Sequence, residues 1–148
     1  MYQKILVPVD GSEASFQAVD KCLEIAKTEN VSKIVILTVT GVPTQLRAYK
    51  GEKMEIYSQM KALLTKDAQD LLDDIKKRFV DCPVPMETKV IWGELPYAIV
   101  QEAKEEYDLI VMGSRGLGGA ENLLLGSVSL HVVRQAPCTV MVVRQLRK

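Results

Sequence analysis

The stretch Leu109-Ile110-Val111-Met112-Gly113-Ser114-Arg115-Gly116, followed after nine intervening residues by Gly126-Ser127, decides how the chain is read. Four consecutive apolar residues lead into the first glycine, and Ser127 opens a short stretch of helical character, so the order is strand, glycine loop, helix. This order aims backbone N–H groups and a helix N-terminus at a bound anion. The spacing is not that of a P-loop: Gly113 and Gly118 are correctly separated, but Gly119 stands where the lysine belongs. Nor is it the dinucleotide fingerprint, because Gly116-x-Gly118 requires glycine at 121 and Glu121 is there. A loop holding the phosphates of a nucleotide remains, beside the plainer reading in which the glycines serve only turns.

Working outward, Ile5-Leu6-Val7-Pro8-Val9 and Ile34-Val35-Ile36-Leu37-Thr38-Val39 are nearly unbroken apolar runs, as expected of parallel strands covered on both faces. Pro8 marks where the first strand leaves the sheet, since a central strand needs its N–H donors. Asp10-Gly11-Ser12-Glu13 reads as a helix start with Asp10 as N-cap and Glu13 as its capping-box partner. Ala18, Val19, Cys22, Leu23 and Ala26 then share one helical face. Residues 40–51 form a long loop with Gly41, Pro43 and Gly51. A helical period resumes over 52–79 through Met60, Leu64, Leu71, Leu72, Ile75 and Phe79.

The third strand, Met86 to Trp92, alternates, with Met86, Thr88, Val90 and Trp92 on one face and Glu87 and Lys89 on the other; this suits a half-exposed edge. Pro96 falls in the first turn of a helix that carries Ile99 and Ala103 inward. A helix from Ser127 to Gln135 and a fifth strand, Thr139 to Val143, follow the glycine loop. Strands alternating with helices define an α/β fold with a mostly parallel sheet. In such sheets ligands lie beyond the carboxyl ends of the strands where strand order reverses. If the first and fourth strands are neighbours there, Asp10 faces the Gly113 loop across one crevice.

The 148 residues suit one domain, 1–148, around a single core. Lys plus Arg and Asp plus Glu are each 19, so no charge excess attracts nucleic acid or an anionic membrane. Cys22, Cys82 and Cys138 have no Cys-x-x-Cys spacing and read as ordinary thiols in a reducing compartment. No apolar stretch nears the roughly 20 residues that cross a bilayer, and no signal-peptide pattern opens the chain. The expectation is a cytoplasmic protein. His131, the only histidine, lies on the helical wheel opposite Val128, Leu130, Val132 and Val133 and is expected to be solvated. No acid pairs with Ser127 and His131 to suggest a hydrolase triad.

Ile5-Leu6-Val7-Pro8-Val9-Asp10-Gly11-Ser12-Glu13, Met112-Gly113-Ser114-Arg115-Gly116, Leu124-Leu125-Gly126-Ser127-Val128 and Ala136-Pro137-Cys138 together closely resemble the universal stress protein family. The likeness runs the whole chain. It implies a Rossmann-like five-stranded parallel sheet in the order 3-2-1-4-5, and ATP or another adenine nucleotide as ligand where the Gly-x2-Gly-x9-Gly-Ser pattern is intact, as it is here. By position it implies adenine contacts at Pro8, Val9 and the Val39 backbone, with Asp10 near the adenine or ribose. Met112 and Gly113 would approach the ribose, and Arg115, Gly116, Gly126, Ser127, Val128 and Ser129 the phosphates. Asp10 is equally explained as a helix cap.

Two departures from the family pattern matter. Thr38 stands where many members have histidine, and Ala120-Glu121-Asn122 replaces a loop that often carries basic residues. Glu121 would weaken a triphosphate unless Mg²⁺ or Mn²⁺, held through the phosphates, intervenes or the ligand is AMP or ADP. In the implied order the fifth strand is an edge yet apolar on both faces, so it is expected to pair with the same strand of a second chain. The resulting expectation is a nucleotide-dependent homodimeric regulator with a further protein partner. Slow metal-dependent nucleotide hydrolysis, or a nucleotide-free structural dimer, are the alternatives.

Overall fold

In a computed structural model that describes residues 2–41, 53–114 and 125–144, the apolar runs become β1 (Lys4–Pro8), β2 (Lys33–Thr40), β3 (Met86–Trp92), β4 (Leu109–Gly113) and β5 (Thr139–Val143). They pair side by side, all parallel, in the order β3-β2-β1-β4-β5. Helices α1 (Glu13–Thr28), α2 (Lys53–Lys76), α3 (Tyr97–Ala103) and α4 (Ser127–Gln135) connect them, and a single 3₁₀ turn, Lys77–Phe79, closes α2.

Alternation along each strand sorts the core into two layers, because successive side chains leave a strand on opposite faces. Ile5, Val7, Ile34, Ile36, Leu109 and Val111 pack with Val19 and Cys22 of α1 and Leu72 and Ile75 of α2. Leu6, Val35, Leu37, Ile110 and Met112 pack on the other face with Ile99 and Ala103 of α3 and Val132 of α4. Both faces of β1, β2 and β4 are therefore covered, which is what their continuous apolar runs require. β3 is the expected edge: Glu87 and Lys89 are exposed while Met86 and Val90 reach the first layer.

Local chemistry corrects the sequence reading in four places. The N-cap of α1 is Ser12, not Asp10: the Ser12 hydroxyl accepts from the Ser15 N–H at 3.2 Å, and Asp10 instead accepts from the Ser12 N–H at 2.9 Å. The aspartate closes an Asx turn that delivers the chain into the cap, so the capping box with Glu13 does not form. Pro96 sits at the N-cap of α3, one residue before its first turn.

The inward arc of α4 is Ser129 and Val132, with Leu130 and Val133 left 38% and 44% exposed, because the stripe that meets β4 runs at i, i+3. His131 is half-buried, its ring 4.9 Å from that of Tyr97 in an edge-on contact, rather than solvated. The expected loop at 40–51 lies, from residue 42 onward, outside the described residues.

Burial pushes the Cys22 thiol up to about 12, with the neighbouring Cys82 thiolate as the second cause. An unfolded thiol ionises near 9.0, so the unfolded chain releases this proton first and stability falls as pH rises from there towards 12. Iodoacetamide at mildly alkaline pH is expected to label half-buried Cys82 in the native protein and Cys22 only after denaturation. Peptide mass mapping reads this directly; native labelling of Cys22 at the rate of Cys82 would contradict the core placement.

Candidate nucleotide-binding crevice

The chain runs β1 to β2 to β3 on one side of the sheet and β4 to β5 on the other, so strand order reverses between β1 and β4, which pair through Ile5↔Leu109 and Leu6↔Ile110. The residues leaving the carboxyl ends of these two strands, Pro8-Val9-Asp10 and Gly113-Ser114, therefore flank one crevice, as the sequence order anticipated.

On the β1 side the main chain is held from both directions. The Val9 N–H donates to the Leu37 carbonyl at 2.8 Å, and the Thr38 hydroxyl donates to the Val9 carbonyl at 2.7 Å. Thr38 is buried and acts as a clamp on the Val9 carbonyl. Gly11 follows at φ +85, a left-handed conformation in which a side chain is strained. Asp10 is half-buried beside it, with one carboxylate oxygen on the Ser12 N–H.

On the β4 side, Gly113 has a packing reason to be glycine. A Cβ there would lie 2.8 Å from the carbonyl carbon and the Cβ of Ala14, and 2.9 Å from the Ala14 oxygen, so the close neighbour is the first turn of α1. Met112 is 5% exposed and its side chain belongs to the layer under α3 and α4.

Ser114 joins three segments. Its N–H donates to the Val143 carbonyl at the end of β5 (2.9 Å), and its carbonyl accepts from the Gly126 N–H (2.7 Å) and the Ser129 hydroxyl (2.7 Å). Gly126 is the N-cap of α4 and its carbonyl accepts from the Leu130 N–H, which leaves the N–H groups of Ser127, Val128 and Ser129 as the helix's first-turn donors without an intrahelical carbonyl. They carry the positive end of the helix dipole. Ser127 is exposed, Val128 half-buried and Ser129 2% exposed.

The structure thus brings together Pro8, Val9, Asp10, Met112, Gly113, Gly126, Ser127, Val128 and Ser129, with Val39 on β2 alongside β1. Arg115 and Gly116 lie outside the described residues. The Gly126 N–H and the Ser129 hydroxyl are committed to Ser114, so what this turn offers an anion is the main-chain N–H of Ser127 to Ser129 and the exposed Ser127 hydroxyl. Among the described residues no group of three or more His, Cys, Asp or Glu side chains is placed to hold a metal ion.

Sequence reasoning missed a buried polar cluster under Tyr97–Ala103, on the α3 side of the sheet. Glu102 of α3, 8% exposed, accepts from Lys89 Nζ at 2.9 and 3.1 Å and from the Tyr107 hydroxyl at 2.8 Å. Burial, and then this hydrogen bond to a carboxylate, hold the Tyr107 phenol well above its ordinary range. The available signal was an acidic residue inside the apolar stripe Ile99, Glu102, Ala103. A cleft of about 480 Å³ opens beside it over β2 and β3. Four of its charges pair: Lys33 lies 2.8 Å from Glu87 and lowers that carboxyl by hydrogen bonding, and Lys89 holds Glu102.

A parallel sheet with a helix N-terminus at its switch point defines a Rossmann-like nucleotide-site architecture. Residues 1–144 match the model of the universal stress protein family, and the chain belongs to that family. It is 35% identical to the universal stress protein MJ0531 of Methanocaldococcus jannaschii over all of this chain and 85% of that protein.

Among solved structures, the universal stress protein UspA of Lactobacillus plantarum superposes with a TM-score of 0.82 at 30% identity, over 97% of this chain and 98% of that one. Two others carry ligands. A universal stress protein in complex with cAMP gives a TM-score of 0.70 at 27% identity, covering 96% of this chain and 97% of its own. An Arabidopsis thaliana family member with AMP bound gives 0.64 at 25%, covering 97% and 92%. No helix among the described residues is long and apolar enough to cross a membrane.

Proposed function

We propose that this protein binds an adenine nucleotide in the crevice between β1 and β4 and acts as a homodimeric regulator rather than an efficient enzyme. The observation that carries the reading is the first turn of α4: its open N–H groups are tied by Ser114 to the end of β4, at the switch point of the sheet. The cAMP and AMP found in two relatives support an adenine nucleotide over other anions. In this reading the adenine lies against Pro8, Val9 and the Val39 backbone, with Asp10 and the main chain of Met112 and Gly113 towards the ribose.

The phosphates meet the N–H groups of Ser127, Val128 and Ser129, with Gly126, Arg115 and Gly116 closing around them. A divalent ion, Mg²⁺ or Mn²⁺, is held through the phosphates. β5 pairs with its counterpart in a second copy; its residues Val140 to Val143 are only half-buried at the sheet edge, and Leu130 and Val133 of α4 extend the apolar surface.

Native mass spectrometry of freshly purified protein tests the whole reading. The expected species is a dimer carrying one adenine nucleotide per subunit, whose identity acid extraction and anion-exchange chromatography report. A ligand-free monomer that also shows no thermal shift with ATP, ADP or AMP would sink it. Metal-dependent release of ADP, lost in Arg115→Ala, would instead move the protein to the slow hydrolases.

A further inference from the structure

Ser129 and Ser114 do more than shape the phosphate turn. The Ser129 hydroxyl donates to the Ser114 carbonyl at 2.7 Å, with the Gly126 carbonyl 3.1 Å away as a second acceptor, while the N–H of the same residue, Ser114, donates to Val143, the last residue of β5. Ser129 and Ser114 are 2% and 3% exposed, so water does not compete for these bonds. One residue, Ser114, therefore connects the turn that carries the open N–H groups to the end of the edge strand β5.

We infer that Ser129 is a positioning residue whose hydroxyl, through the main chain of Ser114, makes nucleotide binding and β5 edge pairing thermodynamically coupled. The inference rests on the proposed nucleotide site and dimer, and adds the route between them. A nucleotide phosphate on the N–H groups of Ser127 to Ser129 fixes the first turn of α4. The Ser129 hydroxyl and the Gly126 N–H then hold the Ser114 carbonyl, and the Ser114 N–H holds the Val143 carbonyl in register beside Gly113. An end of β5 already ordered in this way loses less freedom when a second copy pairs with it. The coupling is positive, and it is reciprocal: the dimer binds nucleotide more tightly than the monomer by the same factor.

The test measures the dimer dissociation constant by sedimentation velocity over a dilution series, with and without saturating ADP, for the wild type, Ser129→Ala and Ser129→Thr. In the wild type ADP is expected to tighten the dimer by about tenfold, within the usual span of coupled sites. In Ser129→Ala the tightening falls to within about twofold even at saturating ADP, and Ser129→Thr, which keeps the hydroxyl, restores most of it.

A role confined to stability would lower the melting temperature of Ser129→Ala and leave the ratio of the two dissociation constants unchanged, and that result overturns the inference. So does a wild type that binds ADP and dimerises with the same constant in its presence and absence, a result needing no variant to fold. Failure of the underlying reading looks different: the wild type then shows no ADP binding or no dimer at all.

Discussion

Gly113→Ala is expected to lower stability by about 1–3 kcal/mol, and towards the top of that range. The added methyl would sit 2.8 Å from the carbonyl carbon of Ala14 and 2.9 Å from its oxygen, and a backbone cannot rotate away as a side chain tip can. Either α1 lifts from the carboxyl end of β4 or β4 bends, and both disturb the crevice. Urea unfolding reads the loss, and each kcal/mol corresponds to about 2–4 °C in Tm for a chain of this size. Gly93→Ala is the control: its Cβ would meet the side chains of Ala98 at 3.3 Å and Ile91 at 3.9 Å and no backbone, and its cost should be clearly smaller. Equal stability of Gly113→Ala and wild type without nucleotide would show that this glycine serves the ligand rather than the helix.

Lys89→Met is expected to cost about 1–3 kcal/mol, although an exposed lysine would ordinarily be worth under 1. Lys89 is 49% exposed, but the carboxylate it holds is 7% exposed and would keep only the Tyr107 hydroxyl. The large effect comes from the partner left behind in the interior, not from the ion pair itself. The double variant Lys89→Met/Glu102→Leu is accordingly expected to recover most of the loss, since replacing both partners by apolar groups removes the buried charge as well. Urea denaturation of the two single variants and the double variant completes the cycle. A double variant as unstable as the sum of the singles would show that Lys89 and Glu102 act independently.

Much of the fold was legible because a few strong local rules all agreed. Unbroken apolar runs of strand length at 5–9, 34–39 and 109–112, each followed by helical periodicity, leave little besides a parallel sheet covered on both faces. Helix 127–135 and strand 139–143 were read with the boundaries the structure shows, since Gly126 and Ala136-Pro137 punctuate them. The misreadings arose where two nearby residues could serve one role or where a distant element supplied the partner. Asp10 and Ser12 are both good caps, and only the path of the chain out of β1 decides which one reaches the first turn. His131 looked solvated on its own helix, and only the approach of α3 brings Tyr97 against it.

The sequence by itself determined the fold class and the family and put forward the residues of the crevice, because strand periodicity, glycine spacing and the strand-loop-helix order are properties of neighbouring residues. The tertiary structure alone decided which atoms remain available there. Thr38 turns out to clamp Val9, Gly113 to admit Ala14, and Ser129 to serve Ser114, each through contacts between residues 15 to 99 positions apart. Such pairings depend on how closely whole helices and strands approach, and hydrogen bonds and excluded volume act over distances of a few ångströms. A local pattern specifies the residue type at each position, and the packed molecule assigns it a partner.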